Sequence, residues 1–203
     1  MERVHENRPP LETVYGTLPD WAVKEHVSSG YIGIDPLSPD WEKKMGPVTM
    51  DFHMSGHIEV PKIEPHWHID TAQKVNGNHY DVRDLEPKGA FIMQPGQFII
   101  VATKEKLTLP NDMVGRLEGR SSLARMGLVV HLTAGRFDPG YNNNPVLELK
   151  NNGQTDIIIY EGMPICAFSF ERLMASVERS YAVRGRYTGT DIKPNFDRKD
   201  LQL

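Results

Sequence analysis

Cysteine is nearly missing from this 203-residue chain, where Cys166 stands alone. No internal disulfide is possible, and a reducing, cytoplasmic setting is expected. The shortage also bears on chemistry, because zinc nucleotide deaminases need a His or Cys plus two further cysteines in an H-x-E and P-C-x-x-C arrangement. Any deamination by this chain has to proceed without zinc. Long apolar runs are absent too, since no stretch approaches the ~20 residues of a membrane span. The opening MERVHENRPPLE carries charges of both signs and no apolar region, so neither a secretory signal nor a lipidation motif is expected. No membrane partner is expected. Positive charge is scarce overall: 23 Lys and Arg stand against 27 Asp and Glu, a formal net charge of -4. That balance argues against broad nucleic-acid binding, which normally shows a basic face. A small anion suits the composition better.

Hydrophobic content of 39% and charged content of 25% are ordinary for a globular chain, and the length suits one domain across residues 1–203. Within it we expect an N-terminal arm at 1–16, polar and containing Pro9 and Pro10, and a core at 17–178. A mobile tail or lid is expected at 179–203, rich in glycine and charge. Pro19 and Asp20 suit a helix start and Gly30 a stop, which predicts a helix over 19–29. From Val48 the rhythm changes to short alternating segments: Val48–Phe52, His57–Val60, Phe91–Gln94, Gln97–Thr103 and Met113–Leu117. It continues with Leu128–Thr133, Pro145–Leu149, Thr155–Tyr160 and Pro164–Glu171, all punctuated by Gly, Pro and Asn. The reading is mainly β, with Ser121–Met126 as one helical turn between strands.

Against the acidic whole, four arginines (Arg116, Arg120, Arg125, Arg136) fall in a window whose one acid is Glu118. In GRSSLAR, a turn into a short helix can aim hydroxyls, backbone N–H groups and guanidinium at phosphate oxygens; equally, Ser121 and Ser122 can cap the turn while the arginines are solvated. In TAGRFDPGY, Asp138 begins a tight turn. It can cap that turn, accept from a sugar hydroxyl with Tyr141 packed beneath the sugar, or do both. In NPVLELKNNG, alternation puts Leu147 and Leu149 on one face and Val146, Glu148 and Lys150 on the other. Glu148 then faces water, or a site where it can act as acid and base. His66 and His68 in EPHWHID lack a full ligand set and read as structural or surface residues; His131, between Val130 and Leu132, reads the same way.

GRSSLARMGL, HLTAGRFDPGY, VLELKNNG and EGMPICAFSF, in that order and spacing, resemble the dCTP deaminase branch of the trimeric dUTPase superfamily. The likeness is strong over Gly96–Phe170 and looser near the front. It implies a distorted antiparallel β-barrel of the β-clip kind, assembled as a homotrimer with sites at subunit interfaces. The implied substrate is a deoxynucleoside triphosphate carrying Mg2+ on its phosphates. By position, Glu148 is the implied proton carrier, while Ser121 and Arg125 hold the water and the reacting centre. Arg120 and Ser122 contact phosphate, Ala134 and Arg136 lie near the base and a neighbouring subunit, Asp138 takes the 3'-hydroxyl, and Val146, Tyr141, Tyr181, Arg186 and Thr190 are further implied substrate contacts. The implied reaction is zinc-free hydrolysis of dCTP, or a base-modified dCTP, to dUTP and ammonia. The alternatives are a dUTP pyrophosphatase or a bifunctional enzyme giving dUMP, and a silent nucleotide-binding trimer.

Departures fall in two places. The tail offers Tyr181, Arg186 and Thr190 where the family shows an aromatic, a Lys-Tyr and a Gly-Gln. Thr190 lacks the amide that Gln presents to a base. Asn143, Asn144 and Pro145 replace a Gly and an apolar pair beside the implied base pocket, so an altered base or lid is expected. Residues 61–89 show no clear counterpart in the family, and their role is open.

Overall fold

The structure is a computed structural model that describes residues 8–62 and 79–184. Pro19, with φ of -69°, precedes helix α1 (Asp20–Ser28), where a fixed φ and a missing N–H do no harm. Ala22, Val23, His26 and Val27 turn to the core at helical spacing, and Gly30 follows with φ of +74°. The helix agrees with expectation. Short helices α2 (Trp41–Lys44), α3 (Ser121–Arg125) and α4 (Tyr181–Arg184) are added to it.

The strands are β1 (Gly16–Thr17), β2 (Gly33–Asp35), β3 (Met50–Pro61), β4 (Tyr80–Asp84), β5 (Ala90–Met93), β6 (Phe98–Thr103) and β7 (Lys106–Thr108). They continue as β8 (Met113–Gly119), β9 (Leu128–Val130), β10 (Arg136–Phe137), β11 (Asn142–Asn143), β12 (Val146–Asn151), β13 (Ile157–Tyr160) and β14 (Pro164–Arg172). The main sheet runs β10-β8-β14-β3-β6-β12-β9, with β1 on β14 and β4 on β3. Smaller sheets β11-β7-β2 and β13-β5 complete the described residues. All the pairings are antiparallel.

One difference from the sequence reading explains the curl of this sheet. Val48–Phe52 and His57–Val60 were expected as separate strands, but they belong to one 12-residue strand, β3, whose register shifts between Met54 and Ile58. An irregularity of this kind bends a strand and increases its twist. The N-terminal half of β3 therefore pairs with β14 and the C-terminal half with β4, while β6 pairs along both. Inside the curl lie Phe52, Phe168, Phe170, Met54, Ile99, Leu147 and Leu149, none with more than trace exposure. Rings of Phe52 and Phe168 meet at 4.6 Å and those of Phe137 and Phe168 at 5.0 Å, edge on in the second case.

The described part of the polar N-terminal arm is docked. Gly16 and Thr17 pair with Arg172 and Glu171, and the Arg172 guanidinium donates to the Leu11 carbonyl at 3.0 Å. Arg172 also donates to buried Asp112 at 3.3 Å, whose other oxygen accepts from the Tyr31 hydroxyl at 2.6 Å. Asp112→Ala strands both donors, so unfolding free energy in urea should fall by about 2–3 kcal/mol. His26 stacks on Tyr31 at 5.1 Å. Burial, reinforced by Arg172, lowers its pKa below the usual 6.5. The unfolded chain then binds the extra proton more readily. Stability should be complete above about pH 6.5 and decline as pH falls through the folded value; His26→Gln should flatten that slope in melting curves taken from pH 7 to 5.

Candidate active site

Strand β8 delivers the arginine-serine turn to the sheet edge. Arg120 keeps an extended backbone (φ -81°, ψ 127°), and α3 begins at the next residue with no side-chain cap. Leu123 anchors the helix in the core, which leaves Ser121, Ser122 and Arg125 exposed. None of the three makes a side-chain hydrogen bond among the described residues, so the alternative that the serines cap their own helix is not what the chain does. Gly119 is needed here, because a Cβ on it would collide with the Val130 carbonyl at the end of β9. The close approach seats α3 against β9.

From β9 the chain turns back, and β12 lies alongside with Leu149 opposite Val130. Alternation on β12 is as expected: Leu147 and Leu149 are fully buried, while the side chain of Glu148 stays one-third exposed. What the sequence reading missed is its neighbour. His131 Nδ1 lies 2.5 Å from Glu148 Oε2, with the imidazole only 5% exposed and Nε2 buried without a partner among the described residues. His131 is therefore a buried histidine in contact with Glu148, not a surface one. No local pattern marks the contact, since it depends on the β9–β12 register.

The four arginines do not act as one cluster. Arg116 bonds Glu171 at 2.6 Å, Arg136 bonds Asp138 at 3.0 Å, and Arg120 pairs with Asp51 on β3, while Arg125 has no acidic partner among the described residues. Arg136 and Asp138 are both well exposed, so water screens their pair and either group is open to a ligand. Ala134 is exposed beside them, and Val146 begins β12 half-buried.

Tyr141 is not the open platform that was expected. Its ring is 94% buried, counting from 6% exposure, against Phe137 at 4.9 Å and Tyr181 at 5.6 Å, and its hydroxyl donates to the Asn144 carbonyl at 3.0 Å. Burial pushes the phenol well above its ordinary range, so it stays neutral. It supports the Asp138 turn from the core side. Tyr181 is likewise docked, its N–H donating to the Pro139 carbonyl at 2.9 Å. Gly140 permits this, because a Cβ there would run into the Ser180 hydroxyl. Arg186 and Thr190 lie outside the described residues.

Asn143 and Asn144 are engaged within the chain. Asn144 Nδ2 donates to the carbonyls of Thr103 and Lys104 at 3.0 and 3.1 Å, and Asn143 Oδ1 accepts from the Asn144 N–H at 2.9 Å. Pro145 is buried. These residues brace β11 and β12 against the β6–β7 turn.

Cys166 is buried in β14, and desolvation, with help from Glu105 and Asp51, holds its thiol well above the ordinary range. It offers no thiolate to a metal. Among the described residues no three His, Cys, Asp or Glu side chains cluster around a common point, and His66 and His68 lie outside them. No helix among the described residues is long and apolar enough to cross a membrane.

Comparison with known proteins points to one family. The model of the dCTP deaminase-like family matches residues 17–173. The dCTP deaminase of Thermomicrobium roseum is 36% identical over 190 residues, covering 92% of this chain and 96% of its own. A protein of Dictyoglomus thermophilum named dCTP deaminase, dUMP-forming, is 34% identical over 164 residues, covering 81% of this chain and 84% of its own. In fold, the 2'-deoxycytidine 5'-triphosphate deaminase of Agrobacterium tumefaciens aligns with a TM-score of 0.60 at 16% identity, over 78% of this chain and 47% of that one. A curled antiparallel sheet, the ordered motifs and relatives matched along nearly their whole length converge: the chain belongs to the dCTP deaminase-like family.

Proposed function

We propose that the protein hydrolyses the exocyclic amine of dCTP, or of a base-modified dCTP, to give dUTP and ammonia. The observation that carries this reading is Glu148, a carboxylate one-third exposed on strand β12 with a buried imidazole at 2.5 Å. Water adding to C4 must lose a proton while N3 and the departing amine gain one, and a carboxylate that takes and returns the proton serves both steps. Ser121 and Arg125, exposed and uncommitted, orient the water and meet charge as it develops. Arg120 and Ser122 hold phosphate, Asp138 accepts from the 3'-hydroxyl, and Ala134, Arg136 and Val146 lie along the base.

Magnesium belongs to the substrate in this reading, carried on the phosphates. The exposed α3 face and Arg136–Asp138 pair suit a site completed by a neighbouring copy, which makes a homotrimer the proposed assembly; the single cysteine suits the cytoplasm as the proposed compartment. A second reading, deamination followed by cleavage to dUMP and pyrophosphate, is favoured by the name of the Dictyoglomus thermophilum relative. One chromatographic panel of deoxynucleotides with magnesium separates the two: ammonia from dCTP supports both, pyrophosphate selects the second, and neither product refutes them.

A further inference from the structure

The Asp51–Arg120 pair crosses three strands. Asp51 lies opposite Ala167 on β14, and Ala167 lies opposite Glu118 on β8, so Asp51 and Glu118 stand about 10 Å apart across the sheet. Arg120 is two residues past Glu118 and still extended, which puts its side chain on the same face. The residue in between is an alanine, whose methyl leaves room for the guanidinium to lie across to the carboxylate. Asp51 itself is firmly placed. Its strand neighbour His53 is held twice by buried Glu105, through the backbone N–H at 2.8 Å and the ring Nδ1 at 2.6 Å. The core neighbours Met50 and Phe52 fix the other face of the strand.

An arginine has five N–H donors in a rigid fork, and one carboxylate engages only part of it. Arg120 makes no other ion pair or side-chain hydrogen bond among the described residues, so donors remain for an anion. We infer that Asp51 is a positioning residue: it fixes the direction of the Arg120 guanidinium before substrate arrives, so that phosphate binds without first ordering a flexible side chain. This rests on the proposed role of Arg120 in holding phosphate, and only the nucleoside part of the substrate depends on the deaminase reading. A plain strand-to-strand staple would change stability and leave phosphate affinity alone.

The test uses the full chain with inorganic tripolyphosphate as probe in calorimetry, alongside dCTP turnover. Asp51→Asn should weaken tripolyphosphate binding about tenfold and raise KM for dCTP in proportion, with kcat held within about threefold. In an Arg120→Gln background the same change should have no further effect, because the two residues act as one unit. Unchanged tripolyphosphate affinity in Asp51→Asn overturns the inference, as does an effect that persists undiminished without Arg120, or a failure of the unaltered chain to bind the probe. Should Asp51→Asn not fold, Asp51→Ser should show the same tenfold weakening, and affinity like that of the unaltered chain overturns the inference equally. An unaltered chain that binds tripolyphosphate through Asp51 and Arg120 but releases no ammonia refutes the deaminase reading and leaves this one standing.

Discussion

Glu148→Gln should release ammonia from dCTP at least about 10³-fold more slowly than the unaltered chain while keeping its melting temperature. The substitution preserves size and leaves the core untouched, because Leu147 and Leu149, not residue 148, face inward on β12. An amide cannot take the proton of the attacking water or return one to N3 and the leaving amine. Binding should survive, since the proposed phosphate and sugar contacts, Arg120, Ser122 and Asp138, lie on other elements. KM for dCTP should therefore move by no more than about threefold, the mark of a group that acts in the transition state and not in the ground state. If the protein also cleaves dUTP, that activity should persist in the variant, because attack at phosphorus needs no proton relay to the base. Ammonia release within tenfold of normal would sink the assignment of Glu148 as proton carrier.

How much of this was legible beforehand can be argued residue by residue. Helix α1 was readable because its start, stripe and stop are all local signals. The outward parity of Glu148 was readable because a strand alternates with period two, whatever the strand pairs with. Strand β3 was misread as two because the Ser55–Gly56 interruption looks like a turn, whereas the surrounding sheet absorbs it as a register shift. Tyr141 was misplaced because an aromatic after a turn has the same local pattern whether it faces a ligand or the core. Its burial is decided by Phe137 beneath it and by Tyr181, which comes from the far end of the described chain. The Asp51 and His131 contacts were invisible for one shared reason. Each joins a site residue to a partner brought close only by antiparallel register, and no spacing in the sequence encodes that.

His131→Leu should lower kcat for deamination about 10²-fold while KM for dCTP stays within about threefold, and His131→Asn should recover much of the loss. The ring nitrogen lies 2.5 Å from the carboxylate oxygen, within hydrogen-bond reach, and in the proposed reaction this is the carboxylate that accepts and returns a proton. The imidazole is suited to hold that oxygen still. It is almost fully buried at the end of β9, so it cannot swing away, and Val130 is fixed by its register with Leu149. Leucine fills the same space without a polar atom, leaving Glu148 free to rotate towards water. Asparagine places an amide near the former Nδ1 and restores a partner. A merely structural histidine would behave differently: leucine, which suits an apolar setting, would keep full activity, and asparagine would be the worse of the two. The order of kcat values, unaltered chain above Asn above Leu, is therefore the measurement that separates positioning from packing, and the reverse order of the two variants would assign His131 to the core.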